Sequence, residues 1–203
     1  EQVSNVQIHA SSPEITYMAP EDAPQRTVYF ETALQPDQEF MVEYSFDYHV
    51  NYVELDPAKV SGEQPDFCLE EQAPHIMFTP YLRELRDELA GDETNPVILA
   101  RRFYDFVTTK VMYSYMREYF TIECIPEYCA VNLKGDCGVQ ALLFITLCRM
   151  SGIPARWQSG LYATEYYTGC HDWAQFYVAP YGWVFADPSF GGSAWRAGEK
   201  ERW

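Results

Sequence analysis

The 203-residue chain contains no apolar run of membrane-spanning length, so no transmembrane helix is expected. Basic residues are scarce: 14 Lys and Arg stand against 30 Asp and Glu, a net charge of −16. Such a surface repels phosphate backbones, which excludes nucleic acid as a partner. Walker-type and dinucleotide-type glycine patterns are absent, so nucleotide use has no support. The six cysteines, at 68, 124, 129, 137, 148 and 170, form no Cys-x-x-Cys pair. Their spacing fits neither a standard disulfide framework nor a zinc module. Mostly reduced thiols are expected, with no metal and no cofactor. The first residue is Glu and no signal peptide is visible. The chain therefore reads as processed or excised from a longer polypeptide, and the missing signal peptide of a trimmed chain does not exclude secretion. A cytoplasmic location is nevertheless expected in preference to a secreted one. Internal repeats and low-complexity tracts are lacking as well.

What is present is a globular, aromatic-rich composition, 47% hydrophobic with 16 Tyr, 12 Phe and 5 Trp. The length allows one core, or one core with a smaller module. Residues 1–70 read as a β-rich antiparallel module. Strand-like runs at 6–9, 15–18, 26–30 and 40–50 are punctuated by Pro13, Pro20, Pro24 and Pro36. In the last run Val42, Tyr44, Phe46, Tyr48 and Val50 share a face, the pattern of a half-buried strand. His49 falls on the polar side. A polar linker with Pro57, Gly62, Pro65 and Pro74 spans 56–75, and 75–203 forms the second domain. Its Cys68 and His75 alone are too few ligands for a metal.

From Pro80 the apolar period becomes helical. Tyr81, Leu82, Leu85 and Leu89 fit a helix ending at Gly91, and Asn95-Pro96 opens another. Residues 111–115 read as a short extended stretch and 117–134 as a loop. The central stretch runs from Gly135 to Met150. Asp136 is placed to cap a helix that is apolar almost all round, stopped by Gly152 and Pro154. Cys137 sits in its first turn, where the helix dipole favours a thiolate. Strands follow at 155–159, 171–178 and 182–187, and Gly191-Gly192 reads as a loop.

Thiol catalysis needs a thiolate, a base, and a group that orients the base. His171, Trp173, Gln175 and Tyr177 share one face of their strand; Trp183, Phe185 and Asp187 share one face of the next. A hairpin centred near Ala179 sets His171 opposite Asp187, within imidazole-to-carboxylate reach. Cys137, His171 and Asp187 are thus the candidate catalytic residues. Cys129, Cys137, Cys170 and His171 are a weaker zinc set, because Cys170 and His171 point to opposite faces. Cys129 or Cys170 is a candidate for oxidative pairing with Cys137.

The string Gly135-Asp136-Cys137, then Gly152-Ile153-Pro154-Ala155-Arg156, His171-Asp172-Trp173, Gly182-Trp183-Val184 and Asp187-Pro188 resembles the transglutaminase-like superfamily, a branch of the papain-like cysteine enzymes. The resemblance covers about residues 95–190. It implies an α+β fold, a central helix packed on an antiparallel sheet, with an N-terminal β-rich module of the kind bacterial members carry. It implies that Cys137 is the nucleophile, His171 the general base and acid, and Asp187 the orienter. It points to Tyr113, then Tyr115, as an oxyanion donor. Gly138 is expected to leave space beside the sulfur. The implied activity is hydrolysis of amide bonds in a protein or peptide substrate, as in a cysteine protease. Transglutamination, another acyl transfer, or a catalytically silent binding module are the alternatives.

Overall fold

The computed structural model describes residues 2–23, 27–49, 52–201 and 203. It divides into two compact units, Glu1–Tyr52 and Val53–Trp203. The first is all β: β1 (Gln2–Ser12), β2 (Tyr17–Met18), β3 (Val28–Tyr29) and β4 (Met41–His49). β1 pairs with β4 and β2 with β3, each antiparallel. The β1–β4 ladder shifts register twice, between Ser4 and Gln7 and between Ile8 and Ala10. Asn5, at φ 51°, supplies the left-handed residue for the first irregularity, a conformation its short polar side chain tolerates. Tyr44, Phe46 and Tyr48 alternate as expected but are exposed, not half-buried. Arg26 and Val50, which belong to the expected runs, and Pro24, which punctuates them, lie outside the described residues.

The second unit begins with a segment expected to be a linker, and that segment is packed. Leu55 and Val60 lie against the core, and Phe67 packs edge-on to Tyr177 at 5.3 Å. The backbone N–H of Ala155 donates to the Cys68 carbonyl at 3.2 Å. Helices α1 (Pro80–Ala90) and α2 (Pro96–Lys110) start at Thr79 and Asn95, whose side chains accept from the first turn, each with proline next. β5 (Met112–Tyr113) follows. The stretch 117–134, expected as a loop, instead holds α3 (Ile125–Asn132), started by Ile125-Pro126, and the first residue of β6 (Lys134–Gly135). Then come α4 (Cys137–Met150), β7 (Ala155–Ala163), β8 (Thr168–Val178), β9 (Gly182–Ala186) and α5 (Pro188–Ala197). The last three strands form one antiparallel sheet in the order β7-β8-β9.

Helix α4 is the centre of this α+β unit. Every residue from Gly138 to Arg149 is buried, as an all-round apolar helix requires. One side packs on the sheet through Phe144 and Phe176, with ring centroids 5.8 Å apart. α2, α3 and α5 enclose the rest, with Phe103, Val107, Ile125 and Cys129 wholly buried between them. The only charged residue in that span, Arg149, spends its donors on carbonyls: Nε to Ala155 at 2.8 Å and Nη1 to Glu70 at 2.6 Å. These bonds satisfy the buried guanidinium and pin the segment around residue 70 to the helix end.

Two further expectations are corrected. The β8–β9 hairpin is centred on Pro180, not Ala179: Val178 pairs with Gly182, Gln175 with Phe185 and Ala174 with Ala186. The loop holds three residues and closes on Gly182, whose φ of 84° favours glycine. The shift is two residues, so each side chain keeps its face while its partner changes. The second correction concerns Gly191 and Gly192, which lie inside α5. A Cβ on Gly191 would run into the Tyr104 hydroxyl and ring on α2, so glycine permits the close crossing of α2 and α5. Gly191→Ala is expected to cost about 1–3 kcal/mol in urea unfolding. Adding Tyr104→Phe, which removes the nearest atom, should recover part of that loss.

Candidate active site

The first turn of α4 presents Cys137. Asp136 is the N-cap, its Oδ1 accepting from the Val139 N–H at 3.0 Å and from the Tyr119 hydroxyl at 2.5 Å. Burial, the bond to Asp136 and its charge push the Tyr119 phenol well up, so it stays a donor. The approach to the helix is held by β5 and β6, which pair in parallel with Tyr113 opposite Gly135. Gln140 Nε2 donates to the Gly135 carbonyl at 2.9 Å from inside the core. The thiol is thereby fixed, half-buried, at the positive end of the helix dipole.

His171, on β8, bonds through Nε2 to Asp187 Oδ2 at 2.6 Å. With Nε2 committed, Nδ1 is the ring nitrogen left for the sulfur, and the His171 and Cys137 side chains do interact. Asp187 directly follows β9 and is only 6% exposed. Its Oδ1 accepts from the Ser189 N–H at 3.1 Å, the Phe190 N–H at 3.0 Å and the Ser189 hydroxyl at 3.1 Å. One carboxylate thus caps α5 and holds the imidazole. The cap was not anticipated, because the helix it starts was read as a loop. Phe190 and Trp173 flank the imidazole, with ring centroids at 4.5 and 5.9 Å. Burial would lower the His171 pKa, but the hydrogen bonds its ring makes to Asp187 and Cys137 and the charges of those two groups outweigh it, raising it from 6.5 to about 10.

Asp172 is the site residue that sequence reasoning missed. Its Oδ1 accepts from Trp157 Nε1 at 3.0 Å, and its Oδ2 lies 3.8 Å from Cys137 Sγ. Burial raises its pKa, against the hydrogen bonds from Trp157 and Cys137. A signal was available. Asp172 continues the row Ala174, Phe176, Val178, which is buried towards α4. A carboxylate at the head of an otherwise apolar strand row is an anomaly at the level of pattern alone. Gly138 does not leave open space as expected. A Cβ there would meet the Tyr119 hydroxyl, Asp172 Oδ2 and the Trp157 ring.

Tyr113 is half exposed and reaches the Cys137 thiol; burial, then the Cys137 charge, raise its pKa. Tyr115 is 96% exposed. All six cysteines are free: Cys129 and Cys148 are buried, and Cys170 is exposed next to His171. Among the described residues no three His, Cys, Asp or Glu side chains group to hold a metal ion, and no helix is long and apolar enough to cross a membrane.

An apolar helix carrying a cysteine on its first turn, packed on an antiparallel sheet that carries a His–Asp pair, defines an α+β thiol-enzyme-like class of fold. The chain belongs to the transglutaminase-like superfamily, whose family model matches residues 83–188, just over half of it. The periplasmic domain of TgpA from Pseudomonas aeruginosa is similar in structure, with 20% identity and a TM-score of 0.53 over 63% of this chain and 47% of that one. A protein of Cytophaga hutchinsonii provisionally assigned as a cysteine protease is also similar, with 17% identity and a TM-score of 0.59 over 93% of this chain and 66% of that one. The chain thus spans about half and about two thirds of these neighbours. No curated protein matches. These likenesses concern the fold, and one of them is to a periplasmic domain.

The raised His171 pKa gives a pH signature. A pKa above the unfolded value means that the pair's stabilisation is complete below pH 6.5 and fades as pH rises towards about 10. Asp187→Asn keeps an N-cap residue for α5 but removes the charge. The stability difference between the two proteins is expected to be greatest below pH 6.5 and to close towards pH 10. The NMR titration midpoint of the His171 ring should fall in the variant.

Proposed function

We propose that the chain is a thiol-dependent hydrolase of amide bonds in proteins or peptides, a cysteine peptidase or amidase of its superfamily. The observation that carries this reading is His171, bonded at 2.6 Å to the buried Asp187 and interacting on its other side with the helix-borne Cys137. In the proposed reaction His171 takes the Cys137 proton, and the thiolate attacks the amide carbonyl carbon. The carbon–nitrogen bond breaks as His171 returns the proton to the leaving amine. Water, deprotonated by His171, then cleaves the thioester and frees the acid and the thiol. The Cys137 backbone N–H at the helix start, with the Tyr113 hydroxyl, is the proposed oxyanion donor set; one such donor is worth about 3 kcal/mol. Asp187 fixes the imidazole orientation.

The chemistry is assigned to the unit Val53–Trp203, and the β-rich unit Glu1–Tyr52 is assigned an accessory role. Six free thiols favour a reducing compartment.

Labelling with iodoacetamide at mildly acidic pH is the test. Cys137 is expected to react selectively, and His171→Ala to slow it by about 10²–10⁴-fold. Equal, slow labelling of all six cysteines would overturn the reading. Peptide-library cleavage should then be lost in Cys137→Ala. Incorporation of an added amine in place of cleavage would make the chain a transferase.

A further inference from the structure

Asp172 has no part in the proposed relay, yet its carboxyl group is held against the sulfur. Trp157 Nε1 donates to Oδ1 at 3.0 Å and thereby fixes the carboxyl plane. Oδ2 is left facing Cys137 Sγ at 3.8 Å. Among the described residues no Lys or Arg lies within salt-bridge distance of Asp172. Its compensation is the α4 N-terminus and the His171 imidazole, and His171 is already bonded to Asp187. Once Cys137 ionises, two negative charges stand 3.8 Å apart with one imidazolium between them and Asp187. A cation arriving with the substrate would relieve that repulsion.

From this geometry, and resting on the reading of Cys137 as nucleophile, we propose that Asp172 is a specificity-determining residue that selects a cationic group, an ammonium or guanidinium, beside the bond being cleaved. Trp157 is its positioning residue. Gly138 borders the same arrangement: a Cβ there would run into the Tyr119 hydroxyl and crowd Asp172 Oδ2 at 3.1 Å. The cation belongs either to the acyl donor, as a basic side chain, or to an amine that enters or leaves.

The test uses three methanethiosulfonates of similar size: cationic aminoethyl, neutral methyl and anionic sulfonatoethyl. Their rates are measured at Cys137 by mass spectrometry in the wild-type chain and in Asp172→Asn. Asn keeps the shape and an acceptor for Trp157. The wild type is expected to favour the cationic over the anionic reagent by on the order of tenfold more than the variant does, each rate being taken relative to the neutral reagent's in the same protein so that any change in thiolate fraction cancels. Raising the salt should narrow the difference between the wild-type and Asp172→Asn ratios, since the field of the rest of the chain, net charge −16, acts on both proteins alike. A cation-to-anion ratio that Asp172→Asn leaves unchanged overturns the inference, and it leaves the thiol-hydrolase reading intact if Cys137 still labels selectively. The ratio remains measurable even if Cys137 reacts slowly, so the two readings fail separately. With peptide substrates, a lower KM for lysine than for norleucine beside the cleaved bond locates the cation on the donor. A diamine outpacing a neutral amine as acceptor locates it on the amine. Asp172→Asn should abolish whichever preference is found.

Discussion

Burying α4 on every side is the constraint from which the architecture follows. A helix with no polar face must be enclosed, and a three-stranded sheet covers one side while α2, α3 and α5 cover the others. Its N-terminus cannot be enclosed in the same way. The first-turn N–H groups need acceptors, and Asp136 supplies one while Tyr119 holds Asp136 in place. A helix so tightly clad keeps its axis, so the first-turn side chain inherits a fixed position. Cys137 therefore gains its placement from packing far behind it. Arg149 closes the other end by tying the helix to β7 and to the segment around residue 70.

Asp187 joins architecture to chemistry. Its Oδ1 collects three hydrogen bonds that start α5, and its Oδ2 holds His171. The imidazole is thus oriented by a residue that the fold fixes for structural reasons. α5 in turn crosses α2 closely because Gly191 leaves room for Tyr104, whose hydroxyl donates to the Asp187 carbonyl at 3.2 Å. The raised pKa of His171 reflects the same economy: two acidic neighbours overcome the burial that would favour a neutral ring. Asp172 adds a third carboxyl group to the region, and its raised pKa reflects how far the sheet buries it.

Much of this was legible from local chemistry. Asp136, Asn95-Pro96 and Gly91 marked helix ends because capping depends on adjacent residues. The alternation along β8 and β9 set His171 and Asp187 on one face, and the hairpin's two-residue shift preserved that face. The same locality explains the failures. α3 and α5 were read as loops because proline and paired glycines dominate their local signal. Gly191 is glycine for the sake of Tyr104, 87 positions earlier in the chain. Segment 56–75 reads as a linker by composition, yet it supplies carbonyls to Arg149 and Ala155.

The sequence by itself determined which residue types stand at helix starts and which strand positions share a face, because caps and pleats are set by neighbours along the chain. It determined an all-round apolar helix with a cysteine at its first turn. Only the tertiary structure decided what that cysteine meets. The hairpin register depends on the loop's closing pair, and the Asp172 carboxyl group reaches the sulfur because a sheet row and a helix end converge. Sequence spacing carries neither relation, since each is a distance between elements that touch only after the core has closed.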